Sequence, residues 1–352
     1  MPPRRGPVAV TARLGPMALF SRRDRSDKGD GAPASEVESV DTVAETDESA
    51  EAPSVAAEGV PQVGISVSTF GADPTAPAPA APTRPAATAP APREIVPGLV
   101  DNALLQGALA GLSAEPQNTE IMNVMRQALQ GQLFLRAQGD VQALIAAGQQ
   151  INLAIASVEG RRFLLAFSGG AALQASVDSE GGAATSVIGQ PAIEVLRNAV
   201  AGGYDGIYLD HATAGARVIL PKELIARAVE ESEPTFEIKT LLSAPRDEST
   251  AARVADALSR LPVWVAGNSD AEGRMGLAEA RTPDGQRRME VFSHPLEVVA
   301  LGRGDSPLPV QPEQLGRALA SEPGLTGVVV DSGGPWIELD RDALAGVMAL
   351  AG

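Results

Sequence analysis

Ser168 and Ser293, Asp210 and Asp331, and the two histidines His211 and His294 are the residues of this chain whose types could carry chemistry. The serines recur in matching Phe-Ser contexts, Phe167-Ser168 and Phe292-Ser293, and each aspartate closes an apolar run. A nucleophilic serine needs a neighbouring base and an oxyanion cradle. The Gly-x-Ser-x-Gly elbow that presents such a serine is absent, because Ser168 follows Ala166-Phe167. A helix N-cap needs only a side-chain oxygen there, and both serines precede helix-like stretches, so capping is the reading taken. Gly169-Gly170 at a strand-to-helix transition is a weak echo of phosphate loops. It lacks both the Gly-x-Gly-x-x-Gly spacing and a P-loop lysine. Asp210 and Asp331 are read as Asx-turn formers, with ligand binding at that end of the sheet as the alternative. His211 directly follows a strand, which suits either a solvated turn residue or a ligand contact. His294 is read as a first-turn helix residue capped by Ser293. The ligand-pocket candidates are therefore Ser168, Asp210 and His211. The chain has no cysteine and two histidines, which excludes disulfides and thiolate chemistry and leaves no His-based metal set. No loop has the Asp/Asn and Gly spacing of a calcium site. No cofactor, metal or catalytic residue is expected.

The elements that must position these residues occur twice. Tyr204-Asp205-Gly206-Ile207-Tyr208-Leu209-Asp210 leads to Ala216–Pro221, and about 120 residues later Leu325–Asp331 leads to Trp336–Asp340. Leu133-Phe134-Leu135 matches Val263-Trp264-Val265, and Gly160-Arg161-Arg162-Phe163 matches Gly285–Met289. Leu104, Leu105, Ala108 and Leu112 share one helical face, and Ile121, Val124, Met125 and Leu129 share another, with Asn118 or Thr119 as cap. Strands are expected at 132–136, 151–158, 162–167, 206–210 and 216–220, and helices from Gly170, Pro191 and Pro221. Phe236, Ile238, Leu241 and Leu242 are read as an extra strand. The fold class is α+β, as two tandem domains over residues 98–231 and 232–352. Each is a mostly antiparallel sheet of about five strands with helices on one face, and the pair is expected to pack about a pseudo-twofold axis.

Residues 1–97 read as a tail. Between Gly29 and Pro97 the chain is dominated by Pro, Ala, Ser, Thr and acids, with an almost pure Pro/Ala tract at 76–92. Such a composition lacks the apolar side chains that offset ordering entropy, so it is expected to be disordered and semi-extended. One island, 62–71, alternates Val63, Ile65 and Val67 with small polar residues before Phe70. These four residues are the partner-binding candidates, as a strand added to a sheet edge in cis or in trans, unless the run is fortuitous. The net charge is −16, of which residues 101–352 carry 19 basic and 31 acidic side chains. A surface this acidic repels phosphate backbones, so nucleic acid is not an expected partner. No apolar run reaches the roughly 20 residues needed to span a bilayer, and no stable membrane anchor is expected. The basic start lacks a signal-peptide core, which gives a cytoplasmic reading. Met17-Ala18-Leu19-Phe20 has the character of a translation start, which would make Met1–Pro16 an upstream extension.

The ordered series resembles the SseB family (enhanced serine sensitivity protein B), in the N-terminal-domain form found in actinobacterial proteins. Three features carry the resemblance: Ala103-Leu104-Leu105 with its helix, Phe167-Ser168 before a short helix, and Gly203–Ile207 running through Val218-Ile219-Leu220-Pro221-Lys222-Glu223-Leu224. Residues 98–230 fit well and 232–352 more loosely. Asp210-His211 stands where the family often has Asn-Pro, and Asp340-Arg341-Asp342 replaces Pro221-Lys222-Glu223. The resemblance implies an α+β domain with no established catalytic set. The function expected is a non-enzymatic adaptor or regulator binding another protein. The alternative is a small-ligand, amino-acid-like or weakly hydrolytic domain linked to serine metabolism.

Overall fold

The structure, a computed structural model, describes residues 85–180, 185–233, 235–269 and 275–352. The first copy runs α1 (Ala103–Ala110), α2 (Asn118–Ala128), β1 (Gln132–Gln138), α3 (Val141–Ala146), β2 (Ile155–Val158), β3 (Arg161–Phe167), α4 (Gly170–Ser179), β4 (Thr185–Pro191), α5 (Ala192–Ala201), β5 (Gly206–Leu209), β6 (Val218–Pro221) and α6 (Lys222–Glu230). The second runs α7 (Glu237–Ser243), α8 (Thr250–Leu258), β7 (Val263–Ser269), β8 (Met275–Leu277), β9 (Glu279–Arg281), β10 (Arg287–Phe292), α9 (Pro295–Ala300), β11 (Ser306–Val310), α10 (Pro312–Ser321), β12 (Leu325–Val330), β13 (Ile337–Asp340) and α11 (Ala345–Met348).

The two copies are threaded alike. One sheet has the order β4-β1-β3-β5-β6 and the other β11-β7-β10-β12-β13. In each, one central pair is parallel (β3 with β5, β10 with β12) and the other pairs are antiparallel. Registers repeat as well: Phe134 pairs with Phe167, and Trp264 with Phe292. Gly206 and Gly327 occupy equivalent places with φ of 149° and 158°. A Cβ at either would overlap the carbonyl oxygen of Leu220 or Leu339, so only glycine lets the last two strands close up.

Alternation along the strands gives each sheet two apolar faces. In copy 1, Leu133, Leu135, Leu164, Ala166, Ile207 and Leu209 form the main core with α1, α2, α5 and α6. Phe134, Leu165 and Phe167 point the other way, onto Leu99 and onto Ala172 and Leu173 of α4. Copy 2 repeats this with its own main core, and with Phe292, Ala266 and Val298 of α9 on the second face. The α+β class is as expected, with α4 and α9 as a small second cover.

Three expectations about single segments change. Residues 237–243 form helix α7, the counterpart of α1, rather than a strand; Ile238, Leu241 and Leu242 have the i, i+3, i+4 spacing of a helix face. Gln117, not Asn118 or Thr119, caps α2, its N–H donating to Glu120 at 2.6 Å. Residues before Pro97 also take defined positions. Trp336 donates to the Pro85 and Ala87 carbonyls at 2.8 and 2.9 Å, and Val96 packs against the second-face cluster of copy 1.

The copies pack head to tail rather than about a twofold. α9 of copy 2 lies on α2 of copy 1, and the equivalent pair, α8 with α4, makes no comparable contact. Leu296 of α9 enters the main core of copy 1. Beside it, Glu297 is buried and accepts from Arg126 Nη1 at 2.6 Å and from Lys239 Nζ. Arg126 also donates to the carbonyls of Gly333 and Gly334 at 2.9 and 3.0 Å. The asymmetry follows from side chains: α4 carries Ala171 and Ala172 where α9 carries Leu296 and Glu297.

Removing one partner of a buried ion pair strands the other charge. Arg126→Ala is therefore expected to lower stability by roughly 3 kcal/mol in urea unfolding. Replacing Arg126, Glu297 and Lys239 together by methionine should recover most of it. A loss below about 1 kcal/mol for the single change would show the pair to be incidental.

Candidate functional site

In a parallel pair the two strands finish at the same end of the sheet, so the termini of β3 and β5 lie side by side. Asp210, just past β5, takes a left-handed conformation (φ 47°) that an aspartate tolerates. Its N–H donates to the Ala166 carbonyl at 3.1 Å. Its carboxylate accepts from the Ser168 N–H at 2.8 Å and the Ser168 hydroxyl at 2.5 Å. Copy 2 repeats the arrangement. Asp331 (φ 53°) donates to Val291 O at 2.9 Å and accepts from the Ser293 N–H and hydroxyl at 2.7 and 2.6 Å. All four side chains are buried.

This clip corrects two expectations. Ser168 and Ser293 do not cap the helices that follow them; the N-caps are Gly169 and His294. The carboxylates do not form Asx turns either, because the turns close through backbone bonds, Thr213 N–H to Asp210 O and Gly334 N–H to Asp331 O. His294 caps α9, its Nδ1 accepting from Leu296 N–H at 3.0 Å. That leaves Nε2 as the donor to Ala228 O of α6 at 2.8 Å, which sets the neutral tautomer. Burial, helped by nearby Lys239, lowers its pKa to about 4.

Burial also pushes the Asp210 carboxyl up to about 6, against the Ser168 hydrogen bonds, which favour the charged form. Asp331 is pushed up to about 7 by burial and then by the negative charge of Glu297. Burial works in the same direction on Glu297, but Arg126 and Lys239 outweigh it and hold that carboxyl low. Two buried acids on one helix junction thus diverge: Glu297 stays charged, and Asp331 carries the cost.

Of the candidate ligand residues, the structure brings Ser168 and Asp210 together and leaves the His211 ring apart. Its centroid lies 5.9 Å from those of Phe167 and Tyr208. Among the described residues no hydrogen bond joins the ring to Ser168 or Asp210, and its buried Nδ1 has no partner. Burial lowers its pKa. No Ser-His-Asp relay is formed. Sequence reasoning missed Asp101, which is buried and accepts from Gly170 N–H at 2.9 Å. The only hint of it was its place beside Asn102, the cap of α1. A Cβ at Gly169 would overlap the Asp101 carboxylate and the Gln106 amide, so the Gly-Gly turn is filled from within and cradles no phosphate. Two open depressions, of about 450 and 350 Å³, are lined by Gln286, Arg288 and Asp340–Asp342 and by Pro90, Arg93, Ala103, Gln106, Gly107 and Ala110 respectively; neither includes Ser168, Asp210 or His211. Among the described residues, no His, Asp and Glu cluster has a metal-binding arrangement, and no helix is long and apolar enough to cross a membrane. Val63, Ile65, Val67 and Phe70 lie outside the described residues.

Fold and clip together define a duplicated α+β domain built around a shared strand-end bracket. The family described as SseB protein N-terminal domain matches the chain twice, over residues 105–226 and 238–346. The chain belongs to the SseB family, with two copies of that domain in tandem. Neither a curated protein nor a solved structure gives a significant match.

A carboxyl whose pKa is higher folded than unfolded binds its proton more tightly in the native state. Its contribution to stability therefore falls as pH rises between about 4 and 7. Asp331→Asn removes that contribution. Relative to the variant, wild type is expected to lose about 2 kcal/mol between pH 5 and pH 8, read from urea unfolding at each pH. Parallel pH profiles would show that Asp331 ionises normally.

Proposed function

We propose that this SseB-family protein is a non-enzymatic, cytoplasmic adaptor or regulator that binds another protein. One observation carries the reading: the Ser-Asp clip has the same geometry in both copies although their surroundings differ. Next to the copy 2 clip, His294 and Leu296 are sealed against copy 1. A wholly buried hydroxyl already donating to a carboxylate is a brace between strands, not a nucleophile waiting for substrate. What duplication preserved is scaffold, and scaffold suits presentation of surface. The partner is read as a protein rather than nucleic acid because the chain is strongly acidic. Val63, Ile65, Val67 and Phe70 are proposed to meet it as an added strand.

The test is affinity capture from bacterial lysate on the full chain and on a chain lacking residues 60–72. A stoichiometric protein held by the first and released by the second is expected; no protein on either would remove the adaptor reading.

A second reading has its own support. His211 Nδ1 and Asp101 Oδ2 are buried without hydrogen-bond partners, and a small amino-acid-like ligand near Ser168, Asp210 and His211 would satisfy them, with weak hydrolysis as its extension. A ligand at a hundred times its Kd adds about 2.7 kcal/mol of stability. The adaptor reading expects a thermal-shift screen of amino acids to leave the melting temperature unmoved, and a saturable rise with any of them would favour the ligand.

A further inference from the structure

We propose that Trp336, Gly334 and Arg246 form a recognition groove for a Pro/Ala-rich peptide, filled in this structure by the chain's own Pro85–Ala87. Three donors converge on this short segment. The Trp336 indole N–H donates to Pro85 O at 2.8 Å, the Trp336 backbone N–H to Ala87 O at 2.9 Å, and Arg246 Nη2 to the same oxygen at 2.6 Å. Arg246 Nη2 also donates to Trp336 O at 2.7 Å, which fixes the guanidinium beside the tryptophan.

The chemistry matches the occupant. Proline lacks an N–H but keeps a good carbonyl acceptor, so a surface that reads a proline-rich chain must be rich in donors. All three bonds reach backbone carbonyls, and proline and alanine offer no polar side chain to read. The floor is equally specific: Gly334 has φ 78°, and a Cβ there would stand 2.9 Å from Pro85 Cβ and 3.0 Å from Ala86 O. An indole donor beside a bare glycine suits a proline-rich segment, whose restricted backbone loses little entropy on docking.

The groove is not a feature of the fold. In copy 1 the residue before β6 is Arg217, whose Nη1 turns to His211 O, and no tryptophan is present. Copy 2 alone has the site. Its occupant is held by backbone bonds rather than by deep burial, for Pro85 and Ala86 are exposed. Residues 76–92 repeat the same chemistry, so a partner's Pro/Ala-rich segment competes with a tethered copy of itself. A short tether supplies an effective concentration near the millimolar range. The groove names a partner class for the adaptor reading and rests on that reading for there being a partner. Lysate capture tests the latter, and the titration below tests the groove alone.

The experiment follows the two tryptophan indole N–H signals, Trp264 and Trp336, by NMR in the otherwise full-length chain lacking Pro85–Ala87. A synthetic peptide of residues 80–92 should move the Trp336 signal saturably and leave Trp264 in place, and a Gly/Ser peptide of equal length should move neither. In the intact chain the same titration should need at least ten times more peptide. Arg246→Ala in the intact chain, which keeps the reporter and serves if the deletion does not fold, should move the Trp336 signal away from its wild-type position and weaken peptide binding at least fivefold. No movement of Trp336 with the Pro/Ala peptide, or equal movement with the Gly/Ser peptide, would overturn the proposal. A Trp336 shift that grows with protein concentration alone would overturn the assignment to a partner and give the groove to a second copy's tail.

Discussion

The parallel strand pair at the centre of each sheet has no tight turn to hold its ends, and the aspartate that closes it supplies the missing restraint. Asp210 and Asp331 each bond the neighbouring strand three times, through the main-chain N–H and both carboxylate oxygens. A left-handed residue turns the chain sharply at the same point. Everything beyond depends on that bracket, because the start of α4 or α9 follows directly from the bonded serine. The bracket has a cost, visible in the raised pKa values of both acids. Hydrogen bonds to the carboxylate offset only part of the desolvation.

Much of this architecture was legible in the chain. The repeat showed itself through pairs such as Leu133–Leu135 with Val263–Val265, because buried central strands demand apolar runs at fixed intervals. The edge strands β4 and β11 were not legible. One contains Gly189 and ends at Pro191, and the other carries Pro307 and Pro309, residues that an edge tolerates but that erase the strand signature. The recurrence of serine and aspartate was equally plain, yet their partnership was not. Ser168 lies 42 residues from Asp210, and Ser293 lies 38 from Asp331. Local spacing offered each a nearer role, as cap or Asx turn, and the tertiary bond won.

Divergence between the copies is concentrated where their covers differ. At the N-cap of α4 the chain has Gly169 and Gly170, which leave room for Asp101 and Val96 of the leading segment. The same two positions in copy 2 are His294 and Pro295, which face Ala228 and the helices of copy 1. One bracket thus serves under two roofs, and the residue just past it records which roof is overhead.

The head-to-tail contact has a consequence for assembly. An interface joining unlike surfaces can repeat indefinitely, adding unit after unit into a filament, whereas a twofold contact closes on itself. Here the charge on the receiving helix differs between the copies. In helix α8, Asp256 stands at the position that Arg126 holds in α2, and it is paired with Arg260 at 2.8 Å. A third unit seated on α8 as copy 2 is seated on α2 would bring its buried glutamate against a carboxylate. The charge that receives a glutamate on α2 is thus reversed on α8, and duplication leaves the two copies with chemically distinct receiving faces.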